Sequence, residues 1–185
     1  MKVMPDSVAP TKKRILCLHG LRTNASVMEF QITGLKLALG SEVDFISVNA
    51  PMIADADPEI VEVFGDAGPW YSWYKLALFG KYDGLDRQGA VMATIMTARM
   101  QHSIRDKSKY LWKGVILVCG PSVSNQSEFK KLQFPSIHIA GKEDVKGYDR
   151  SIALREQYEG KDRQCPFINN PMYDEISAAI RQMLE

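Results

Sequence analysis

The sequence has few cysteines and histidines, no long apolar run and almost no net charge. Its 185 residues include three cysteines and three histidines, and the formal net charge is +1 at pH 7. Cys17 and Cys119 lie inside apolar, strand-like runs, so we interpret them as small buried hydrophobes and not as a disulfide or zinc framework. The near-zero charge argues against a nucleic-acid partner. No apolar run is long enough to cross a bilayer, and no metal site or cofactor is predicted.

Residues 1–13 lack the apolar core of a signal peptide. They are polar and contain Pro5 and Pro10, so we expect a loose N-terminal lead-in. Together with the free cysteines, this predicts a reducing, cytoplasmic location, with the nucleus as an alternative. The length and the apolar fraction of 45% are those of one globular domain, which we expect to span residues 1–185.

A short apolar run near the N-terminus predicts a strand that leads into a ligand-binding edge. Residues 15–18 form a continuous apolar run bounded by charge, typical of a buried strand of a parallel sheet. Gly20 permits a sharp turn or a close backbone approach, and Asn24 is a good N-cap for the helix that follows. Open α/β proteins bind ligands at such an edge. The plain alternative is a first strand and turn without chemistry.

Strands and helices alternate along the rest of the chain. This order predicts an α/β layered fold with a mainly parallel sheet. The pattern predicts strands at 14–18, 43–48, 114–119 and 136–140, and helices at 26–39, from 85 or 89 to 101, 148–157 and 173–184.

Residues 49–84 show no strong periodic pattern, and a connection of that length is usually functional. It contains the densest aromatic cluster of the chain, with Trp70 and Trp73 at residues 69–74. Aromatic side chains near a sheet edge can line a pocket for an acyl group or another small ligand. Equally, they can form a satellite cluster that packs the loop against the core.

Several motifs in the correct order resemble the FSH-type serine hydrolases, a branch of the α/β-hydrolase fold. The resemblance covers nearly the whole chain. It rests on residues 16–25 (LCLHGLRTNA), 44–51 (DFISVNAP), 70–73 (WYSW), 82–86 (YDGLD), 88–93 (QGAVMA) and 135–144 (PSIHIAGKED).

The resemblance implies an esterase or thioesterase acting on small acyl substrates. It places the acid of the catalytic triad at Asp144. His19 and Gly20 match the family's turn after the first strand. Leu21 would supply one backbone N–H of the oxyanion hole, and Gln88, which follows the nucleophile in the family, would supply the other.

The nucleophile of the family is missing. No Gly-x-Ser-x-Gly occurs, and the position of the serine is occupied by Arg87, whose guanidinium stays protonated. Residues 82–86 run directly into Gln88, whereas a helix and a strand separate these motifs in the family. A unit of roughly 30 residues, judged from the size of a βαβ element, is therefore expected to be absent. The predicted fold is an α/β-hydrolase-like layered fold shortened by loss of a central strand.

The catalytic histidine of the family is missing as well. The family places it in a loop before the last helix, where this chain has residues 164–171 (QCPFINNP) and no histidine. His19 matches the turn, His138 lies within a strand, and His102 lies at a basic helix end. None of these three is a good candidate for the base, and two losses between well-matched flanks favour an internal deletion or alternative splicing.

Other nucleophiles and ligands are weaker candidates. Asp86 lacks the preceding strand that an aspartate nucleophile needs. Ser122 and Ser124 follow a strand without a histidine. Glu143 and Asp144 could form a metal pair, but no further ligand clusters near them.

Three hypotheses about function follow. The first is a serine hydrolase that is catalytically impaired because the serine and the histidine of the triad are absent. The second is a non-catalytic hydrolase-like protein that binds an acyl ester or thioester, or a protein partner, through Trp70 and Trp73. The third is a defective splice product whose exposed sheet edges lead to self-association.

Overall fold

The computed structural model describes residues 12–75, 87–123, 131–159, 167–169 and 172–185. Strands and helices alternate along the chain, and none of the helices in these ranges is long and apolar enough to span a bilayer. The elements are β1 (Lys13–Leu18), α1 (Ala25–Gln31), α2 (Thr33–Leu39), β2 (Val43–Val48), β3 (Met52–Ala54), α3 (Pro58–Phe64), β4 (Trp70–Ser72), α4 (Gln88–Ser103), β5 (Val115–Val118), β6 (Ser136–Ala140), α5 (Val145–Glu156), β7 (Phe167–Asn169) and α6 (Tyr173–Leu184).

Five strands are parallel and form two separate groups. β1 pairs with β2, with Leu16 opposite Ile46. β5, β6 and β7 form a second group with β6 in the middle. Within the described ranges β1 pairs only with β2 and β5 only with β6, so the sheet is divided between β1 and β5. The prediction of α/β layers with mainly parallel strands is confirmed.

Helix α4 joins the two groups of strands. It contacts both β1 and β5, and its N-terminus lies directly against the carboxyl end of β1. A Cβ atom on Gly89 would lie 2.2 Å from the carbonyl oxygen of Leu18, so only glycine allows this approach. Arg87, just before α4, contacts Asp144, just after β6. The carboxyl ends of the two groups therefore meet at one edge.

Two apolar clusters cover opposite faces of the sheet. Leu117 of β5 packs with Leu154 of α5 and with Tyr158 on the face that carries α4 and α5. Ile137 of β6 packs with Ile180 of α6 on the face that carries α2 and α6. Truncation of such a fully buried Leu or Ile to Ala costs about 2–5 kcal/mol, so these layers fix the position of the carboxyl edge.

The first predicted helix forms as two helices. The Asn24 side chain accepts a hydrogen bond from the backbone N–H of Val27 at 2.9 Å, which confirms the predicted N-cap. The predicted helix 26–39 is interrupted at Ile32 and ends at Gly40, whose φ is +55°. The positive φ in the turn after β1 falls on Arg22.

The prediction that residues 49–84 contain no strong secondary-structure element was wrong. This stretch forms β3, α3 and β4, and β3 pairs with β4 in antiparallel orientation. Helix α3 begins at Pro58, and the side chain of Asp57 caps it. The two strands have three residues each, too few for a periodic pattern to emerge.

Two further boundaries differ from the predictions. The predicted direct passage from residues 164–171 into the last helix was wrong, because β7 forms there and pairs with β6. Helix α5 begins at Val145 and not at residue 148, because Asp144 caps it. The motif at 82–86, with Asp86, and the residues Ser124 and Cys165 lie outside the described ranges.

Candidate active site

His19 is the buried centre of the turn after β1. Its Nδ1 lies 2.7 Å from the carbonyl oxygen of Gly20, and its Nε2 lies 2.9 Å from the backbone nitrogen of Ala50. Because the amide of Ala50 can only donate, Nε2 is unprotonated and Nδ1 carries the proton. Burial lowers the pKa of His19 below its usual range. Both ring nitrogens are therefore engaged: Nδ1 fixes the turn itself, and Nε2 holds it to the residues that follow β2.

The aromatic segment clamps this turn from the other side. Trp73 donates from Nε1 to the carbonyl oxygen of His19 at 2.7 Å, and its ring lies 5.2 Å from the imidazole. The backbone N–H of Tyr71 donates to Thr23 at 2.9 Å. Trp70 is buried in β4. These contacts favour the packing interpretation of the aromatic cluster, and its role as a substrate loop stays a prediction.

Gln88 fastens the same segment to the start of α4. It is fully buried. Its side-chain oxygen accepts a hydrogen bond from the backbone N–H of Trp73 at 2.8 Å, and its side-chain nitrogen donates to the carbonyl of Tyr74 at 3.2 Å. Because α4 lies against Leu18 and His19, Gln88 adjoins the turn that contains Gly20 and Leu21. The two segments predicted to form an oxyanion hole are thus side by side.

Asp144 is held by a cation and by the helix that it caps. Its Oδ1 accepts a hydrogen bond from the backbone N–H of Gly147 at 2.9 Å. Its Oδ2 accepts one from Nη2 of Arg87, and the two side chains are 27% and 23% exposed. Arg87, which stands where the resemblance places the family's serine, is thus the partner of Asp144, whose role as triad acid stays a prediction.

Cys119 completes this cluster and was missed in the sequence. It follows β5 with a φ of +50° and is only partly buried, so the prediction that it is a buried hydrophobe was wrong. It lies near Asp144 and Arg87, and burial raises the pKa of its thiol. The signal was its place directly after a strand that neighbours the strand before Asp144.

The other two histidines, His138 and His102, do not belong to this cluster. His138 is buried within β6, as predicted, and its Nε2 lies 2.9 Å from the hydroxyl of Ser136. Burial lowers the pKa of His138 to about 3. His102 is exposed in the last turn of α4, at the opposite end from Arg87. The contacts found for Asp144 in the described residues include none with a histidine.

Metal ligands do not cluster in the part of the chain that the structure describes. No three His, Cys, Asp or Glu side chains converge there in a way that could hold an ion. Glu143 is exposed beside Asp144, and Ser122 is partly buried after β5.

Known relatives share part of this sequence. The chain is 35% identical over 69 residues to the dihydromonacolin L-[lovastatin nonaketide synthase] thioesterase of Aspergillus terreus (strain NIH 2624 / FGSC A1156), which covers 37% of this chain and 27% of the relative. It is 34% identical over 74 residues to esterase mlcF of Penicillium citrinum, which covers 40% of this chain and 30% of the relative. The chain thus matches less than a third of the length of these relatives.

The fold resembles that of a solved esterase. The structure of esterase PE8 superposes with a TM-score of 0.51 at 16% identity and covers 93% of each chain, which supports an α/β-hydrolase-like fold. The family model described as Serine hydrolase (FSH1) matches residues 7–87 and 87–168, and the two matched segments meet at Arg87. The chain therefore belongs to the FSH1 family of serine hydrolases.

Proposed function

We propose that this chain is an esterase- or thioesterase-type hydrolase that keeps the acyl-binding edge of its family and has lost catalytic turnover. The carrying observation is the ion pair between Arg87 and Asp144. In a serine hydrolase the acid orients the histidine that activates the serine. Here the proposed acid binds an arginine at the position of the family's serine, and its contacts among the described residues include no serine and no histidine.

The state of His19 supports the same conclusion. Its two nitrogens bond Gly20 and Ala50, and it is completely buried. A base must exchange a proton with the nucleophile, and His19 can do so only by breaking the turn that it holds. Without nucleophile and base, oxyanion donors and binding alone leave a residual rate far below that of an intact triad.

The meeting of the two matched segments at Arg87 supports an internal deletion. A helix and strand inserted there would occupy the division of the sheet between β1 and β5. The transcript that joins the codons for Asp86 and Gln88 tests this proposal. A skipped segment that encodes Gly-x-Ser-x-Gly is expected, and a continuous exon in every transcript contradicts it.

The proposed ligand is a small acyl ester or thioester bound at the edge formed by Leu21, Gln88 and Trp73. The named activities of the thioesterase and esterase relatives support this class. No cofactor is required, and a cytoplasmic location remains part of the proposal. Trp73 is expected to contribute to binding by lining the ligand site. Its indole N–H helps to fix this site by donating to the carbonyl oxygen of His19.

Two assays with the purified chain test the proposal. A fluorophosphonate probe and a p-nitrophenyl ester series are expected to give no serine labelling and no turnover above the buffer rate. A family esterase with an intact Gly-x-Ser-x-Gly motif serves as the positive control. Stoichiometric labelling together with robust turnover contradicts the loss of catalysis.

Binding is measured separately by thermal stabilisation with a non-hydrolysable acyl thioether. Saturation at 100 times Kd is expected to add about 2.7 kcal/mol to the free energy of unfolding. Trp73→Phe, which removes the N–H donor and keeps an aromatic ring, is expected to weaken the shift. Phe64→Leu, on α3, is the control. A series of acyl ligands without any shift contradicts the binding role.

Self-association is a second proposal. It is supported by the face of β1 and β2 that points away from α2 and α6. Leu16 is 56% exposed and Ile46, its register partner, is 40% exposed. Apolar residues side by side on a sheet face, next to an open strand edge, favour pairing with another copy. A concentration-independent monomer in sedimentation velocity contradicts this proposal.

A further inference from the structure

The segment between α4 and β5 carries an unusual concentration of positive charge. Its single acidic residue is Asp106. All of its Lys and Arg side chains are exposed. We name residues 104–114 the basic loop. The cations on it and on the adjoining turn of α4 are Arg99, Arg105, Lys107, Lys109 and Lys113.

These cations are largely uncompensated. Lys109 lies 3.9 Å from Asp106, which is a weak exposed pair. Among the described residues, Arg105, Lys107 and Lys113 form no ion pair. The carboxylate of Asp106 is itself engaged by the backbone N–H and the hydroxyl of Ser108. The loop therefore presents a positive field to the solvent.

An apolar side chain projects from the centre of this field. Leu111 is 79% exposed, between the half-buried rings of Tyr110 and Trp112. Burial of an exposed leucine in an apolar phase is favourable, because it removes apolar surface from water. An exposed apolar side chain surrounded by cations is complementary to a surface that carries anionic groups on the outside and an apolar layer beneath them.

The basic loop is already fixed in this shape. Trp112 donates from Nε1 to the hydroxyl of Thr97 at 3.1 Å, and the ring of Tyr110 lies 5.8 Å from that of Phe134. The backbone N–H of Leu111 donates to the sulfur of Met100 at 3.3 Å. Docking this loop therefore costs little ordering entropy.

A shallow depression lies beside Leu111. Its volume is about 270 Å³. Lys107 and Lys113 line it together with Tyr110 and Trp112. This lining offers a phosphate-bearing headgroup two cations and an apolar rim.

We propose that the basic loop docks on the surface of an anionic lipid bilayer, with Leu111 inserted among the acyl chains and Lys107 and Lys113 against the headgroups. A Lys or Arg close to such a surface strengthens binding about fivefold, and insertion of an apolar side chain supplies the second anchor that stable docking needs.

The docking surface is distinct from the candidate active site. Helix α4 has 16 residues, and its length of about 24 Å separates Arg87 from the basic loop. The carboxyl edge thus faces away from the bilayer and stays open. The proposal is independent of whether the chain hydrolyses or binds acyl compounds.

The test is cosedimentation of the full chain with vesicles of phosphatidylcholine alone or with phosphatidylserine added. Binding is expected only to the anionic vesicles and is expected to weaken with salt. Lys107→Gln with Lys113→Gln is expected to lower the partition coefficient roughly 25-fold, about fivefold for each charge. Leu111→Ala is expected to lower it roughly tenfold or more.

Matched variants control for charge and for apolar surface. Lys75→Gln with Lys142→Gln removes the same charge at the opposite end of α4. Leu37→Ala truncates a leucine with the same 79% exposure on α2. Both are expected to bind as the unchanged chain does, and circular dichroism checks that every variant is folded.

Four results overturn the proposal. They are equal binding to neutral and anionic vesicles, binding that the loop variants leave unchanged, full displacement by soluble glycerophosphoserine, and capture by poly-glutamate without any binding to vesicles. The third result indicates a small-molecule anion site, and the fourth indicates an acidic protein partner.

Discussion

Nη2 of Arg87 donates a hydrogen bond to Oδ2 of Asp144, which lies 57 positions further along the chain. The contact joins the start of α4 to the start of α5 across the carboxyl edge of the sheet. If Asp144 is the triad acid, as proposed, the arginine takes the place of the histidine that this acid orients in an active enzyme. The interaction therefore bears on both the stability of this edge and its chemistry.

Arg87→Ala is expected to lower the free energy of unfolding by ~1–3 kcal/mol, because it leaves a partly buried carboxylate without its cation. Lys12→Ala is the control, since its ion pair with Asp44 is half exposed and such pairs contribute at most about 1 kcal/mol. Urea denaturation measures both. Equal losses contradict the importance assigned to the Arg87 pair. Arg87→Ser is expected to restore no ester hydrolysis, because none of the three histidines in the chain is placed to activate a serine there.

Gly89→Ala is expected to destabilise the chain by ~2–4 kcal/mol, because the added Cβ would lie 2.2 Å from the carbonyl oxygen of Leu18 and force α4 away from β1. Gly141→Ala is the control, because a Cβ there meets no heavy atom within 4 Å. Thermal and urea denaturation measure the difference. A Gly89 variant as stable as the Gly141 variant contradicts the close approach of α4.

Stability is expected to fall as the pH falls below about 6.5, because His19 and His138 are buried and neutral in the folded chain. Burial lowers the pKa of His138 from 6.5 to about 3 and lowers that of His19. As the pH falls below 6.5, the unfolded chain therefore binds protons that the folded chain does not. The stabilising contribution of the two neutral histidines is complete above pH 6.5 and is lost progressively toward pH 3. The slope for one such group reaches about 1.4 kcal/mol per pH unit.

The histidine contribution is measured by urea denaturation between about pH 7 and about pH 5, where most carboxylates stay ionised. His138→Leu is expected to flatten this slope. His102→Gln, at an exposed position of α4, is expected to leave it unchanged. An unchanged slope in the His138 variant is the contrary result.

Leu16→Lys with Ile46→Lys is expected to shift the chain toward the monomer, because two cations replace the exposed apolar pair on the face of β1 and β2. Sedimentation velocity over a range of concentrations measures the shift. Phe30→Lys with Leu37→Lys, on α1 and α2, controls for added charge at other exposed apolar positions. Equal effects of the two double variants argue against a specific interface on β1 and β2.

Much of the secondary structure could be predicted from the sequence. The strands β1, β2 and β6 lie within one residue of their predicted bounds, because each is an apolar run between charged residues or turn-forming residues. Three-residue strands such as β3 and β7 could not be predicted, since their register comes from the neighbour that they pair with. The same holds for the exposure of Leu16, which depends on which helix covers its face.

The candidate site, too, could be predicted from the sequence only in part. The sequence by itself determined that no Gly-x-Ser-x-Gly and no histidine before the last helix are present, and it located Asp144 and the turn at His19. Only the tertiary structure decided that Arg87 is the partner of Asp144 and that both nitrogens of His19 are engaged. Hydrogen bonds between groups distant along the chain form only when packed helices and strands bring them together, and no local pattern encodes that arrangement.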